Sequence, residues 1–247
     1  MSGKRSPLIS VIVPAYNEEK YLAFCLKSLI SQDFPSSRYE IIVVDNASTD
    51  GTVQIAKGFP VRLIREPRQS VVLARQAGYK ASLGQIIVSA DADTIYPSRW
   101  LSLIEDSFLR RPGIVGISGW IYFTGTPAWF NYLIALNQKI NLILSRLTGR
   151  FPLVFAANFA FRRSAMEQIG GYPVHLPELG DQQYLLSKIL TLGPVIIRPE
   201  IFCHTSSRRH RGKLGKIIIH NGWYRLLGYT VNRIAHRQII GPAPSTR

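Results

Sequence analysis

Apolar residues gather in short runs along this chain, and three of those runs stop abruptly at polar or acidic residues. Ile9 to Val13 leads into Pro14-Ala15-Tyr16-Asn17-Glu18, Ile41 to Val44 into Asp45, and Ile86 to Ala90 into Asp91-Ala92-Asp93. Continuous apolar runs of this length predict strands buried on both faces of a sheet. Between them the apolar spacing becomes helical. Leu22, Leu26, Leu29 and Ile30 follow Asn17, a candidate N-cap, and predict a helix over Glu18 to Ser31. Ser48, Thr49 or Asp50 can cap a short helix through Lys57, Val61 to Ile64 reads as a strand, and Ser70 to Leu83 as a third helix. Pro97 suits the first turn of a helix whose Trp100, Leu101, Ile104 and Phe108 share one face. This alternation predicts an α/β fold with a doubly wound, mostly parallel sheet and a Rossmann-like half for a nucleotide.

Beyond Arg111 the regularity fades. Ile114 to Ser118 reads as a strand, Trp129 to Leu147 as a helix, Phe151 to Phe161 as a strand of a mixed half, and Asp181 to Leu190 as a helix. Gly170-Gly171-Tyr172-Pro173 reads as a turn. The expected organisation is one domain over 7–240: a nucleotide-binding half (7–111), a half for a smaller or more variable partner (112–211) and a C-terminal helix (212–240), followed by a disordered tail (241–247). In that last helix Trp223, Leu226, Leu227, Val231 and Ile234 fall on one side, with Arg233 and Arg237 flanking them. A basic interfacial helix and a core-packed helix both fit this pattern.

Composition narrows the partners. The 247 residues, 46% of them hydrophobic, suffice for a substantial core. Thirty Lys and Arg against fifteen Asp and Glu give a net charge of +15, which suits nucleotide phosphates, anionic lipid or nucleic acid. Cys25 and Cys203 are too few for a disulfide framework or zinc cluster, and each reads as a small buried hydrophobe in a reducing compartment. Met1 to Ser6 leads straight into a strand without a signal-like apolar run. Pro112 to Gln138 has no charge, yet Gly125-Thr126-Pro127 interrupts it, and neither part reaches the ~20 apolar residues of a membrane span. It reads as buried strand, loop and helix. A cytoplasmic protein is expected, with peripheral contact at the anionic inner face of a membrane.

The chemistry sits at the strand ends, because open parallel sheets bind ligands beyond the carboxyl ends of their strands. Asp91 and Asp93, one residue apart, suit a divalent cation shared with substrate phosphates. Asp45 is an acceptor able to select a base edge carrying an N–H, although a turn residue would look the same. No Gly-x-Gly-x-x-Gly follows the first strand and no P-loop occurs, which excludes the usual dinucleotide and ATP sites. A nucleic-acid module would show aromatic platforms beside its charge, and none is evident. A haloacid-dehalogenase-like phosphatase is the closest rival, since Asp91-Ala92-Asp93-Thr94 resembles its nucleophile loop. That loop belongs on a first strand, whereas here it follows a later one.

Taken in order, the pieces resemble a family 2 glycosyltransferase of GT-A fold. They are Val11 to Glu18, Val43 to Thr52, Ala74-Arg75, Asp91-Ala92-Asp93, Asn158 to Arg163, Gly170-Gly171-Tyr172, Gly180-Asp181 and Thr205 to Arg209. The resemblance implies a nucleotide-diphosphate sugar donor, UDP-linked in most members. It implies that Pro14, Ala15, Tyr16, Glu18, Asp45, Arg75, Asp91 and Ala92 line the donor site, with Arg208 and Arg209 from a loop over the diphosphate. Asp91 and Asp93 would hold Mg²⁺ or Mn²⁺, with His204 or His210 as possible additions to the metal shell. Asp181 matches the general base of an inverting displacement, although this chain reads Gly180-Asp181 where members often read Glu-Asp. The acceptor would be a hydroxyl, of a lipid-linked molecule or a cell-envelope polysaccharide precursor.

Overall fold

The computed structural model describes residues 7–148, 154–175 and 181–208. Its first strands are the expected ones: β1 (Ile9–Ala15), β2 (Tyr39–Asp45), β3 (Arg62–Arg65) and β4 (Ile86–Ser89). Every residue of β1 and β4 is buried, Ser10 and Ser89 included, as their largely apolar composition requires of central parallel strands. The helices between them are α1 (Leu22–Ile30), α2 (Thr52–Lys57) and α3 (Val71–Ala81). Leu22, Cys25, Leu26 and Leu29 form the buried stripe of α1. Then come β5 (Thr94–Ile95) and α4 (Trp100–Arg110), which buries the predicted Trp100, Leu101, Ile104 and Phe108.

The second half holds β6 (Gly116–Thr124), α5 (Ala128–Thr148), β7 (Phe159–Arg162), α6 (Arg163–Ile169), α7 (Asp181–Ile189) and β8 (Val195–Ser206). Eight strands form one mixed sheet in the order β3-β2-β1-β4-β7-β6-β8-β5. The β3-β2-β1-β4 portion is parallel, and β7 pairs antiparallel with both β4 and β6. The chain divides into two compact units, one from residues up to Ile121 with Phe155–Thr205, the other from Tyr122–Val154 with the residues from Ser206 on. The expected helix 212–240 and tail 241–247 lie outside the described residues.

Three local expectations need correction. Asn17 does not cap α1, which starts four residues after the predicted point. Asn17 instead takes a left-handed backbone (φ 53°), and its Oδ1 accepts the Thr49 N–H at 2.8 Å, so the side chain serves a neighbouring loop. Among described residues, the strand expected to end at Phe161 starts only at Phe159, after a 3-10 turn over Ala156–Asn158. The cause is Asn158, which is buried and fully used: its Oδ1 accepts from Trp100 Nε1 (2.9 Å), and its Nδ2 donates to the Trp120 (2.8 Å) and Ile201 (3.0 Å) carbonyls. Gly119 lies against this amide; a Cβ there would stand 2.0 Å from the Ile201 oxygen and 2.2 Å from Asn158 Nδ2. Finally, α6 and β8 were not anticipated. The Gly170-Gly171 turn ends α6, with both residues at positive φ (81° and 90°), a conformation glycine adopts without steric cost.

Candidate functional site

The parallel register sets the site. Ala15, the last residue of β1, is level with Asp45, the last of β2, and Ile12 is level with Ser89 of β4. With β1 in the middle, the acidic ends of β2 and β4 flank the Pro14-Ala15-Tyr16 end of β1. Pro14, Ala15 and Glu18 are buried, while Tyr16 is 40% exposed and is the open aromatic at this edge. The sequence reading therefore brought the correct three strand ends together.

The two loops leaving β1 and β2 are laced to one another. Asn17 N–H donates to Ser48 Oγ (3.1 Å), Glu18 N–H to Thr52 Oγ1 (2.7 Å) and Glu19 N–H to Asp50 Oδ2 (3.1 Å). In return Glu19 Oε2 accepts from Gly51 N–H at 3.0 Å. Asp50 Oδ1 also takes the Thr52 N–H (3.0 Å) at the start of α2, but the N-cap position is Gly51, so none of Ser48, Thr49 and Asp50 caps this helix as expected. Asn17 and Ala47 are the non-glycine residues at positive φ among those described, and each lies two positions past its strand. Such backbone costs roughly 1–2 kcal/mol for an ordinary L-residue, so it persists where the surroundings impose it. Much of the Asn46-to-Thr52 motif is thus scaffold that holds the crevice open in one shape.

Asp45 is 3% exposed, and its Oδ1 accepts the Ser48 N–H at 3.1 Å, the turn role that its sequence also allowed. Its Oδ2 lies 3.8 Å from Arg65 Nε. Next to it stands a residue the sequence reading passed over. Asn46 is buried; its Nδ2 donates to the Glu66 (3.2 Å) and Arg68 (2.7 Å) carbonyls, and its Oδ1 accepts from Ser70 N–H (2.9 Å). One amide thereby ties the segment from β3 to α3 against the end of β2. Glu66 stiffens the same segment with two carboxylate contacts to the Arg68 guanidinium at 2.9 and 3.0 Å, which hold its carboxyl below the usual range. An Asn following a strand-end Asp is a signal that could have located this clamp.

Asp91 to Thr94 form a tight turn closed by Thr94 N–H to the Asp91 carbonyl at 3.2 Å. Arg75, 5% exposed on α3, reaches Asp91 Oδ1 with its guanidinium at 3.2 Å. Beneath the turn, Asp91 N–H donates to the Tyr96 hydroxyl (2.9 Å), which itself donates to the Ala157 carbonyl (3.0 Å). The Cys25 thiol faces the Asp91 carbonyl at 3.5 Å. Burial, reinforced by the carboxylates of Asp93 and Asp91, pushes the Cys25 thiol far up, so it stays a protonated weak donor. Cys203 is raised likewise, by burial first and then by Asp91. Both cysteines are the buried small residues expected. Removing the Tyr96 hydroxyl would strand a buried N–H and a buried carbonyl. Tyr96→Phe is expected to lose about 1–3 kcal/mol of stability in thermal or denaturant unfolding, and to weaken donor binding several-fold.

The fit of the turn to a divalent cation can be judged from its donors. Asp91 is one-third exposed and Asp93 half-buried, both with hard carboxylate oxygens. Among the described residues no three His, Cys, Asp or Glu side chains are grouped to hold a metal, so His204 does not join these two in such a set. His204 lies on β8 in register with Ile95 of β5, its ring edge-on to Phe202 at 5.6 Å. Two carboxylates without a third protein ligand suit Mg²⁺ or Mn²⁺, which keep waters and bind substrate phosphates. The residues fit the ion.

The remaining predicted residues are placed less fully. Ala92 is buried inside the turn. Asp181 is the first residue of α7, which packs against α6. Arg208 belongs to the second unit, where its N–H donates to Ser206 Oγ at 3.3 Å. Arg209 and His210 lie outside the described residues. The matched Asn158-to-Arg163 stretch is structural: Arg162 donates to the Ile114 (2.8 Å) and Pro112 (3.0 Å) carbonyls, and Arg163 to the Gly84 carbonyl (2.6 Å) and Ser82 Oγ (2.7 Å).

Known proteins resemble this chain in sequence and in fold. The profile described as "Glycosyl transferase family 2" matches residues 10–170. The chain is 32% identical to the glycosyltransferase AglE of Haloferax volcanii over 184 residues, 71% of this chain and 59% of that protein. It is 38% identical over 90 residues to the poly(ribitol-phosphate) beta-N-acetylglucosaminyltransferase TarS of Staphylococcus aureus, 34% of this chain and 16% of TarS. The chain thus spans well under two-thirds of either relative. Its fold is that of S. aureus TarS 1-349 in complex with UDP (TM-score 0.69, 19% identity, 91% of this chain and 71% of that one). The mannosyltransferase PcManGT from Pyrobaculum calidifontis, solved with GDP-Man and Mn²⁺, shares it too (TM-score 0.71, 24% identity, 98% and 67%).

Proposed function

The chain belongs to glycosyl transferase family 2, and from that premise we propose that it transfers a sugar from a nucleotide diphosphate donor to an acceptor hydroxyl, with inversion at the anomeric carbon. The observation that carries this reading is the parallel pairing of β2 and β4 on either side of β1, which sets Asp45 on one side of β1 and the Arg75-anchored Asp91 turn on the other. An acceptor for a base N–H and a cation-binding turn for a diphosphate are the two ends of a nucleotide diphosphate. UDP is the expected nucleotide.

Asp91 and Asp93 would hold Mg²⁺ or Mn²⁺, and the bound ion supplies Lewis-acid neutralisation of the departing diphosphate. Arg75 keeps Asp91 in place. Tyr16, at the open edge of β1, packs against the nucleoside. Asp181 draws the proton from the acceptor hydroxyl as its oxygen attacks from the face opposite the leaving group. The acceptor is lipid-linked or an envelope polysaccharide precursor, met at the cytoplasmic face of a membrane. Family membership sets the phosphatase rival aside.

Thermal unfolding with UDP, GDP, TDP and CMP, each with and without Mn²⁺, tests the donor site, since a ligand bound to the native state alone raises apparent stability. The expected result is metal-dependent stabilisation by one diphosphate, UDP first. No response to any nucleotide would remove the proposal.

A further inference from the structure

Helix α5 carries apolar residues on both faces. Phe130 and Ile134 turn inward and are buried, together with Gln138 and Asn141. On the other side Trp129, Leu133, Leu136, Ile140, Ile143 and Leu147 are 37–78% exposed. At 3.6 residues per turn these six fall within an arc of about 80°, a continuous stripe along the helix. The sequence reading had placed the part up to Gln138 in the core; the structure corrects this, because polar Gln138 and Asn141 occupy the buried face and the aliphatic residues the open one. The N-terminal end of the helix is fixed: Asn131 Oδ1 accepts from Phe123 N–H (2.9 Å), and its Nδ2 donates to the Phe123 carbonyl (2.8 Å).

We propose that this stripe is a docking surface for an anionic lipid bilayer, on which α5 lies in the interfacial plane. Charge complementarity selects the occupant. The charged residues of α5 are Lys139 and Arg146, both exposed and both bordering the same edge of the stripe; the helix has no carboxylate, and the chain carries +15. A second copy of this face would offer Lys139 and Arg146 nothing but like charge from its own helix, whereas phosphodiester headgroups answer both. Trp129 and the 70%-exposed Tyr132 are side chains suited to the boundary between acyl chain and headgroup. No helix among the described residues is long and apolar enough to cross a membrane, which matches a helix that lies on the bilayer rather than through it. This surface is made of other residues than the 212–240 stretch singled out in the sequence, and it does not depend on the proposed sugar transfer.

The test is co-sedimentation of the full chain with phosphatidylcholine vesicles, with and without phosphatidylglycerol, at low and high salt. Wild type is expected to bind the anionic vesicles, more weakly at high salt. Leu136→Glu/Ile140→Glu should lower the partition coefficient by about tenfold or more, and Lys139→Glu/Arg146→Glu by several-fold, both with wild-type melting curves because the positions are exposed. Residues 209–247 are the same in every variant, so a drop belongs to α5. Brominated lipid should quench part of the tryptophan emission, and Trp129→Phe should remove that quenched part, a readout that needs no charged substitution. Equal binding by the stripe variant, quenching unchanged in Trp129→Phe, or a dimer dissociated by the same substitutions would each overturn the proposal.

Discussion

Asp93→Ala is expected to lose sugar transfer by on the order of 10³-fold, the equivalent of about 4 kcal/mol of transition-state charge stabilisation. The reasoning runs through the turn itself. Arg75 engages Asp91, and Asp93 brings the second carboxylate of the turn. Tyr96, Cys25 and Thr94 contact the Asp91 backbone, which the substitution leaves unaltered. The variant should therefore fold with a near-native melting temperature. It should also lose the Mn²⁺-dependent part of its stabilisation by nucleotide. Transfer of labelled sugar measured across Mn²⁺ concentrations checks the first expectation, and wild-type turnover in Asp93→Ala would reject the metal assignment.

Asp181→Asn is expected to separate binding from chemistry. The substitution keeps size and one acceptor oxygen but removes the charge, so nucleotide-induced stabilisation should remain while transfer falls by roughly 10²–10⁴-fold. Asp181 starts α7, where a negative charge also favours the helix dipole, and a purely structural residue would show a different signature. In that case the melting temperature would drop by the small amount a helix-terminal charge contributes, with transfer intact. Full transfer by Asp181→Asn would place the general base elsewhere. Comparing the two variants also distinguishes their failures: loss of metal-dependent nucleotide binding belongs to Asp93, and loss of transfer with binding retained belongs to Asp181.

The three strand ends were legible because a central parallel strand announces its own end. Where an unbroken apolar run gives way to Asp45 or Asp91, the chain leaves the sheet, and parallel pairing sets those exits side by side. What the exits do locally was harder to read. Asn17 looked like a helix cap, but a cap and a cross-loop partner need the same short side chain. Thr49 competes for it across a loop 32 positions away in the chain. Asn46 drew no attention, since its three backbone partners lie between Glu66 and Ser70. The Asn158-to-Arg163 stretch, matched as family pattern, proved to be carbonyl-satisfying scaffold. The long β8 went unseen because Arg198, Pro199 and Glu200 interrupt its first half, and the alternation of Ile201, Cys203 and Thr205 begins only later.

By itself, the sequence determined the order of strands and helices in the parallel half and the family. Those follow from local period and from residue type, which neighbouring positions along the chain can specify. Only the tertiary structure decided which of those residues meet: Arg75 with Asp91, Tyr96 and Cys25 under the turn, Asn46 with the segment after β3. It also decided that α5 turns its amides inward and its aliphatic stripe outward. A helix apolar on both sides has no periodicity to say which face is covered, so packing against the rest of the protein makes that choice.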